Sequence, residues 1–245
     1  MPEFGRIPAS LAVAAGGSGS GPTAPWDVAG VTAQMATFEV DVEAVLDLLP
    51  EMLSRPAPPY CRILVLKYPD SPAGAYQEAL LLISSRFAML PRHFVAASVV
   101  SSKAAQEANL TNWHYFSEVG EVDLLQDGSD FRSVIRHPSG LEIRVDSPNA
   151  QETGPAVIRY DPVVVVAAQN GGEPSLVTIS AEPSDVSRAW LATSTAVSYS
   201  GGDAQSPWLR LRSRNPITGT IAVQDMHLPE PVAVKPMAGG GGGLP

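Results

Sequence analysis

The sequence predicts a mainly β protein of the α+β class, an antiparallel barrel or sandwich with one or two helices attached. Two observations support this fold class. The apolar segments are mostly short and are joined by short turns with few helical stretches between them, a pattern typical of antiparallel sheets. In addition, 44% of the 245 residues are hydrophobic, so the chain can bury a sizeable core.

The individual elements follow from apolar runs, capping residues and turn residues. The first predicted helix begins at Asp41, which can cap an N-terminus, and ends at Pro50, while residues 101–110 form the second. The turn sequences PDSPAG at residues 69–74 and HPSG at residues 137–140 connect neighbouring strands. The predicted strands are residues 31–40, 61–68, 76–86, 94–100, 131–136, 141–146, 157–168, 175–181, 208–212 and 217–224.

We expect a single folded domain, residues 26–236, between two flexible ends. Residues 1–25 include the segment GGSGSG, which is typical of a flexible leader. The glycine-rich tail, residues 237–245, is expected to be disordered. A secretory signal is the competing interpretation of the apolar run at residues 7–15, although Glu3 and the weakly basic start argue against it.

The charge balance argues against two classes of partner. The 16 Lys and Arg residues against 25 Asp and Glu residues leave a net charge of −9 at pH 7. Nucleic acids and anionic membrane surfaces both require clustered cations, so neither is an expected partner. No apolar run reaches the roughly 20 residues that a membrane-spanning helix needs.

The few reactive side chains limit the cofactors that the chain can hold. Cys61 is the single cysteine, which excludes an internal disulfide and a cysteine-based metal site and agrees with a reducing cytoplasm. The four histidines, His93, His114, His137 and His227, lack the spacing of metal ligands. Phosphate-binding and dinucleotide-binding motifs are also missing from the sequence. We therefore expect neither a metal nor a cofactor.

Three segments, in order along the chain, resemble the acetoacetate decarboxylase superfamily. The first is PWDVAGV at residues 25–31, followed by FEVDVEAV at residues 38–45 and by Leu48-Leu49-Pro50. The second and most specific is YPDSPAGAYQEA at residues 68–79, which resembles the turn and Gly-x-Tyr-x-Glu strand of the family. The third covers residues 94–116 and matches the strand and helix that carry the catalytic lysine of the family.

The resemblance implies a cone-shaped antiparallel β-barrel that encloses a pocket, often in a homo-oligomer. The best-known member decarboxylates a β-keto acid through a lysine Schiff base. In this sequence the position of that lysine falls on His114 and the position of its activating neighbour on Tyr115, and neither side chain can form an imine. Lys67 can in principle point inward from its strand, so a relocated imine remains an open alternative.

Two residues are candidates for the chemistry. Strand alternation places Glu78 on one face with Tyr76, Leu80 and Leu82, where an apolar pocket raises the pKa of a carboxyl group and fits it for acid–base catalysis. The resemblance places His114 at the pocket, where an imidazole can move a proton or donate to an enolate oxygen. The alternatives are a carboxylate that backbone donors or an arginine satisfy, and a histidine that only packs.

Five further residues are candidates for substrate binding. Trp113 and Tyr115 can stack on a flat ligand, and Tyr76 accompanies Glu78. Arg86 and Arg132 are candidate partners for a substrate carboxylate. Plain packing of the aromatic residues and solvated arginines are the competing interpretations.

Three functions remain open from the sequence. The first is a cofactor-independent enzyme of specialised, polyketide-like metabolism that binds a keto or enolic small molecule. It would catalyse cyclisation, dehydration or C–C or C–O lyase chemistry with the help of proton transfer and without a lysine imine. The second is a non-catalytic small-molecule-binding protein, and the third is a decarboxylase that uses a mechanism without a Schiff base.

Overall fold

The protein is described by a computed structural model over residues 2–12, 21–168 and 173–234. Its helices are α1 (Val42–Leu48), α2 (Lys103–Trp113) and α3 (Pro207–Arg210), with short 3-10 turns at Ala9–Leu11 and Pro155–Val157. Its strands are β1 (Trp26–Glu39), β2 (Tyr60–Tyr68), β3 (Tyr76–Phe87), β4 (Leu90–Val100), β5 (Glu118–Val119), β6 (Glu121–Asp127), β7 (Asp130–Arg136), β8 (Glu142–Ser147), β9 (Gln151–Thr153), β10 (Val163–Ala167), β11 (Ser175–Ile179), β12 (Glu182–Ala192), β13 (Ala196–Ser200), β14 (Asn215–Leu228) and β15 (Val232–Ala233). The mainly β fold class is therefore confirmed.

Most strands belong to one large sheet with the order β15-β11-β10-β4-β3-β2-β1-β14-β12-β9, and β5 adds to β4. Neighbours are antiparallel except that β10 and β5 run parallel to β4. In the described part of the chain β15 and β9 do not pair with each other, so this sheet is not closed into a barrel. A second sheet has the order β13-β8-β7-β6.

The large sheet is buried on both faces, which explains the nearly continuous apolar sequence of β2. On one face, Ile63 and Val65 pack in a core that includes Ile135 and Ile143 of the second sheet. On the other face, residues such as Leu64 pack in a second core together with α2, β11 and β14. Because alternate residues of a strand point to opposite faces, adjacent positions of β2 enter different cores. The candidate site lies in the second core.

Local signals explain where the two longer helices begin. The carboxylate of Asp41 accepts hydrogen bonds from the backbone N–H groups of Glu43 and Ala44, at 2.9 and 3.2 Å, as the sequence predicts. The hydroxyl of Ser102 accepts from Ala105 N at 3.1 Å at the start of α2. In the described residues no helix combines the length and the apolar character that crossing a membrane requires.

Two predictions of secondary structure are wrong, and several strands were missed. Residues 208–212 lie mostly in α3, not in a strand, because a short apolar run does not distinguish the two and Pro207 favours the first turn of a helix. The predicted strand at 157–168 begins only at Val163, after a 3-10 turn and after Pro162, which has no N–H for a sheet. The strands β12 and β13 were not predicted, because many of their residues are exposed and polar.

The flexible-leader prediction is wrong for residues 2–12. Gly5 N donates to Leu53 O at 2.9 Å and Arg6 N donates to Leu46 O at 2.8 Å, so this segment is attached beside α1. A Cβ at Gly5 would lie 2.0 Å from Leu49 O, which makes glycine necessary at this close approach. Most of the GGSGSG segment and the predicted tail, 237–245, lie outside the described residues.

A buried carboxyl group among tyrosines as the candidate active site

A cavity of about 60 Å³ lies in the second core, next to the side chain of Glu78. Its walls come from β2, β3, β4, α2, β11, β14 and the segment before β10. Most of these walls are aliphatic, as at Leu64, Leu80 and Met226. The volume is well below the roughly 300 Å³ at which drug-sized pockets begin, so the cavity suits a small ligand.

The alternation of β3 directs Glu78 into this cavity, together with Tyr76 and Leu80, as the sequence predicts. Glu78 is only 2% exposed. Its Oε1 accepts hydrogen bonds from Asn109 Nδ2 at 2.6 Å, Tyr115 Oη at 3.1 Å and Ser98 Oγ at 3.2 Å. Among the described residues no hydrogen bond reaches Oε2, which leaves that oxygen free for a ligand.

Burial raises the pKa of Glu78 to about 7, and the three hydrogen bonds to Oε1 offset only part of this rise. The cause is desolvation, which disfavours the charged carboxylate in a low-dielectric environment. None of the described residues that line the cavity is a lysine, arginine or histidine whose charge could hold the carboxylate. A carboxyl group with a pKa near neutral can both accept and return a proton, which is the requirement for general acid–base catalysis.

Four tyrosines surround the same cavity and supply hydroxyl donors. Tyr68 and Tyr76 are paired across β2 and β3 and stack with ring centroids 4.5 Å apart. Burial raises the pKa of Tyr68, Tyr76 and Tyr115 well above 10 and that of Tyr160 to about 12. All four phenols therefore stay protonated at neutral pH; the hydroxyl of Tyr115 already donates to Glu78, and the other three tyrosines supply the donors for a ligand oxygen.

The wall formed by α2 is held in place by contacts outside the cavity. Trp113 Nε1 donates to Pro229 O at 3.1 Å, and the Trp113 ring meets Trp26 edge-on with centroids 4.7 Å apart. Asn109 lies one helical turn before Trp113, so the two side chains share the face of α2 that covers the cavity. The helix thus fixes both an aromatic wall and a hydrogen-bond donor to Glu78.

A comparison of the sequence with known protein families shows which family the chain belongs to. The sequence profile described as acetoacetate decarboxylase (ADC) matches residues 11–236, which is most of the chain. The chain belongs to the acetoacetate decarboxylase family. The comparison with curated protein sequences found no match.

Solved structures of the acetoacetate decarboxylase family share this fold. Acetoacetate decarboxylase from Legionella pneumophila matches with a TM-score of 0.75 at 15% identity, over 89% of this chain and 90% of that chain. The enduracididine biosynthesis enzyme MppR, complexed with pyruvate, matches with a TM-score of 0.70 at 14% identity, over 89% and 93%. An acetoacetate decarboxylase-like enzyme from Sphingomonas wittichii matches with a TM-score of 0.71 at 14% identity, over 87% and 94%. At such identities the likeness shows the fold alone.

This acetoacetate decarboxylase family member has no lysine at its cavity in the described residues. Lys67 and Lys103 are exposed and do not line the cavity, and Lys235 lies outside the described part. Lys67 alternates with Leu66, so it points away from the face that holds Glu78. Inward relocation of Lys67, the alternative left open by the sequence, is therefore contradicted.

The structure separates the two predicted catalytic residues. His114 adopts a left-handed conformation, with φ 59°, directly after α2. It is half-buried and lines a different and wider groove of about 690 Å³, where burial lowers its pKa. Trp113 and Tyr115 do line the cavity with Glu78. The expectation that His114 shares the chamber with Glu78 is wrong, because the left-handed residue turns the chain between two inward-facing aromatics.

Neither predicted arginine reaches the cavity. Arg86 lies exposed near the end of β3, where its backbone pairs with Ser54. Arg132 lies exposed on the second sheet and pairs with Asp146. Arg86 lies too far along β3 from Glu78, and Arg132 lies on the other sheet. Neither residue lines the cavity, so neither is a partner for a ligand in it.

Sequence reasoning missed several residues of the site. Asn109 and Ser98 hydrogen-bond to Glu78, while Tyr68, Tyr160 and Asp161 line the cavity. The register of the hairpin, in which Tyr68 faces Tyr76 across the turn, is a signal that could have identified the first tyrosine. Within the described part of the chain, no group of three or more His, Cys, Asp or Glu residues could hold a metal ion.

Proposed function

We propose that this protein is a cofactor-independent enzyme that binds a small keto or enolic compound and moves protons with Glu78. The observation that carries the proposal is a carboxyl group with a pKa near 7 in a small apolar cavity ringed by tyrosine hydroxyls. General acid–base catalysis is most efficient when the pKa of the group lies near the working pH, because both protonation states are then populated. The fold of a lysine-based enzyme family, with no lysine at the described cavity, supports chemistry that forms no imine.

In the proposed reaction, Glu78 takes one proton from the ligand and later returns it. The carboxylate of Glu78 takes a proton from the carbon next to the ligand carbonyl through Oε2, while the hydrogen bonds to Oε1 hold the group in position. The negative charge develops on the carbonyl oxygen, where a hydroxyl of Tyr68 or Tyr76 donates a hydrogen bond. Glu78 then returns the proton, either to another carbon or to a departing hydroxyl group. Cyclisation and dehydration (C–O lyase) reactions share these steps. In a C–C lyase reaction Glu78 would instead take the proton of a β-hydroxyl group, the C–C bond would break to form the enolate, and Glu78 would return the proton to the enolate carbon.

The remaining ligand contacts follow from the lining. Trp113, Tyr115 and Tyr76 form aromatic walls against which a planar enol can pack. No proton step is assigned to His114, because it lines the other groove.

A role in specialised metabolism agrees with the related fold of MppR, which is named as a biosynthesis enzyme. We also propose a homo-oligomer, in which exposed apolar residues such as Phe116 could be covered.

Exchange of the α-protons of acetone in deuterated water tests the proposal, with proton NMR as the readout. The wild-type protein should accelerate the exchange, and Glu78→Gln should slow the catalysed rate by about 100-fold or more. Asp127→Asn, at an exposed carboxyl group on β6 of the second sheet, and His114→Ala serve as controls and should stay within about twofold of the wild type.

Two outcomes would overturn the proposal. Exchange at the same rate in Glu78→Gln as in the wild type would remove Glu78 from the chemistry. Saturable binding of small ketones without any accelerated exchange would favour the non-catalytic binding protein instead. Trapping with borohydride and a keto acid checks the absence of an imine, since a reduced adduct on any lysine would contradict it.

A further inference from the structure

A charged pair lies at the wall of the cavity and is not used by the proposed chemistry. Asp161 lines the cavity, and its Oδ2 is 3.4 Å from Nη1 of Arg62. The side chain of Arg62 is only 15% exposed, and its buried Nε has no hydrogen-bond partner. The pair therefore holds a poorly solvated cation next to a cavity whose described lining contains no basic residue.

Arg62 is placed to reach the cavity if Asp161 releases it. Its position on β2 shares one face with Leu64 and Leu66, which line the cavity. Its positive charge also lowers the pKa of Tyr160, another lining residue, although burial raises that pKa more. Arg62 itself does not line the cavity, but its guanidinium lies 3.4 Å from the carboxylate of Asp161, which does.

His93 is the third ionisable side chain beside Arg62 and Asp161, and it adds no charge at pH 7. His93 is 1% exposed, and its Nδ1 lies 3.6 Å from Asp161 Oδ2. Burial and the charge of Arg62 lower the pKa of His93 to about 3, so its ring is neutral at pH 7. The charges of Arg62 and Asp161 then cancel, and Glu78 adds a negative charge whenever it is ionised.

We propose that Asp161 is a specificity-determining residue, which neutralises Arg62 and so restricts the cavity to uncharged keto or enolic ligands. A carboxylate that enters loses its hydration in an apolar cavity, finds no free cation and meets two acidic side chains. The inference rests on the proposed function for the keto or enolic class, and it adds the charge of the ligand. It also argues against decarboxylation, because a keto acid arrives as an anion.

Two probes of equal size separate the charge classes. Acetylacetone is a neutral β-diketone, and acetoacetate has the same number of non-hydrogen atoms but carries a carboxylate. Isothermal titration calorimetry with the full chain at neutral pH should show that the wild type binds acetylacetone at least about tenfold more tightly. In Asp161→Asn, the affinity for acetoacetate should rise by about tenfold or more, because Arg62 is left to pair with the ligand carboxylate.

Matched variants show whether Arg62 is the cause. The double variant Arg62→Met with Asp161→Asn should lose the gain for acetoacetate, and Asp146→Asn, which breaks a surface pair with Arg132, should leave the wild-type preference unchanged. If Asp161→Asn does not fold, Asp161→Ser is measured in its place. Wild-type affinities that are equal for the two probes, or a preference that Asp161→Asn or its replacement leaves unchanged, would overturn the inference.

The outcome is separate from that of the proposed function. Glu78→Gln removes the proposed proton transfer and one of the two acidic side chains, but it keeps Asp161 paired with Arg62, so a reduced preference for acetylacetone should remain. Loss of exchange in Glu78→Gln together with equal binding of both probes by the wild type would contradict only the charge selection. Unchanged exchange in Glu78→Gln together with a strong preference for the neutral probe would contradict only the proton transfer.

Discussion

At the scale of single residues, Glu78 combines two properties that rarely coexist without a function. It is a fully buried acid in an apolar cavity, and its hydrogen bonds reach only Oε1 in the described structure. Burial of an acid without a cation costs stability whenever the acid is ionised. The proposed proton transfer at Oε2 would give a physical reason for that cost in stability.

The same burial predicts a pH dependence of stability. The pKa of Glu78 rises from its ordinary value of 4.5 to about 7 on folding, so the folded state holds the proton more tightly than the unfolded state. The stability that this proton supplies is complete below about pH 4.5 and is lost as the pH rises through about 7. The rise in pKa corresponds to about 3 kcal/mol, as an order of magnitude.

The measurement is the difference between the wild type and Glu78→Gln in urea unfolding from pH 4 to pH 9. Relative to the wild type, the variant should become more stable as the pH increases. His93 acts in the opposite direction in both proteins, because its lowered pKa makes the folded state more stable as the pH rises from about 3 to 6.5. Only the difference therefore isolates Glu78, and a pH-independent difference would contradict its raised pKa.

At the scale of elements, α2 connects the start of a helix to the geometry of the site. Ser102 caps its N-terminus, Asn109 donates to Glu78 from its middle, and Trp113 ends it at the cavity wall. The left-handed His114 then turns the chain so that Tyr115 also faces the cavity. One helix and its cap thus position three of the side chains around Glu78.

Removal of the cap should weaken this element. Ser102→Ala deletes the acceptor for Ala105 N and should lower the free energy of unfolding by about 1 kcal/mol. Ser200→Ala on the exposed surface of β13 is the control and should change it by less than about 0.5 kcal/mol. Equal effects of the two substitutions in urea denaturation would show that the cap does not stabilise α2.

The sequence specified most elements because their signals are local. Apolar runs identified β2 and β3, a capping carboxylate identified α1, and turn residues identified the hairpin between β7 and β8. It failed where the local signal is ambiguous or weak, as for the short helix α3 and the polar strand β12. In those segments packing against the rest of the molecule decides the conformation.

At the scale of the whole molecule, a buried glutamine joins the two sheets. Gln34 of β1 is fully buried, donates through Nε2 to Ser147 Oγ at 2.9 Å and accepts from Ser133 Oγ at 2.5 Å. Both serines belong to the second sheet, on β8 and β7. These hydrogen bonds fix how the second sheet lies on the first, because apolar contacts alone specify position less strictly.

Gln34→Leu should therefore destabilise the fold although it adds an apolar side chain to a core. The hydroxyl of Ser133 loses its partner in a buried environment and that of Ser147 keeps only Thr195, so the free energy of unfolding should fall by about 2 kcal/mol. Gln126→Leu, at an exposed position of β6, is the control. Urea denaturation that shows Gln34→Leu as stable as the wild type would mean that the polar link is dispensable.

Some features of the candidate site could be predicted from the local sequence, and others depend on contacts between distant parts of the chain. The sequence by itself determined that Glu78 and Tyr76 share an apolar face, since a strand alternates with a period of two, and it showed a histidine and a tyrosine where the family has lysines. Only the tertiary structure decided that His114 turns out of the cavity and that Asn109, Tyr160 and Asp161 come to its walls. Residues so far apart along the chain meet through the packing of sheets and helix, and no local pattern records which of them will touch.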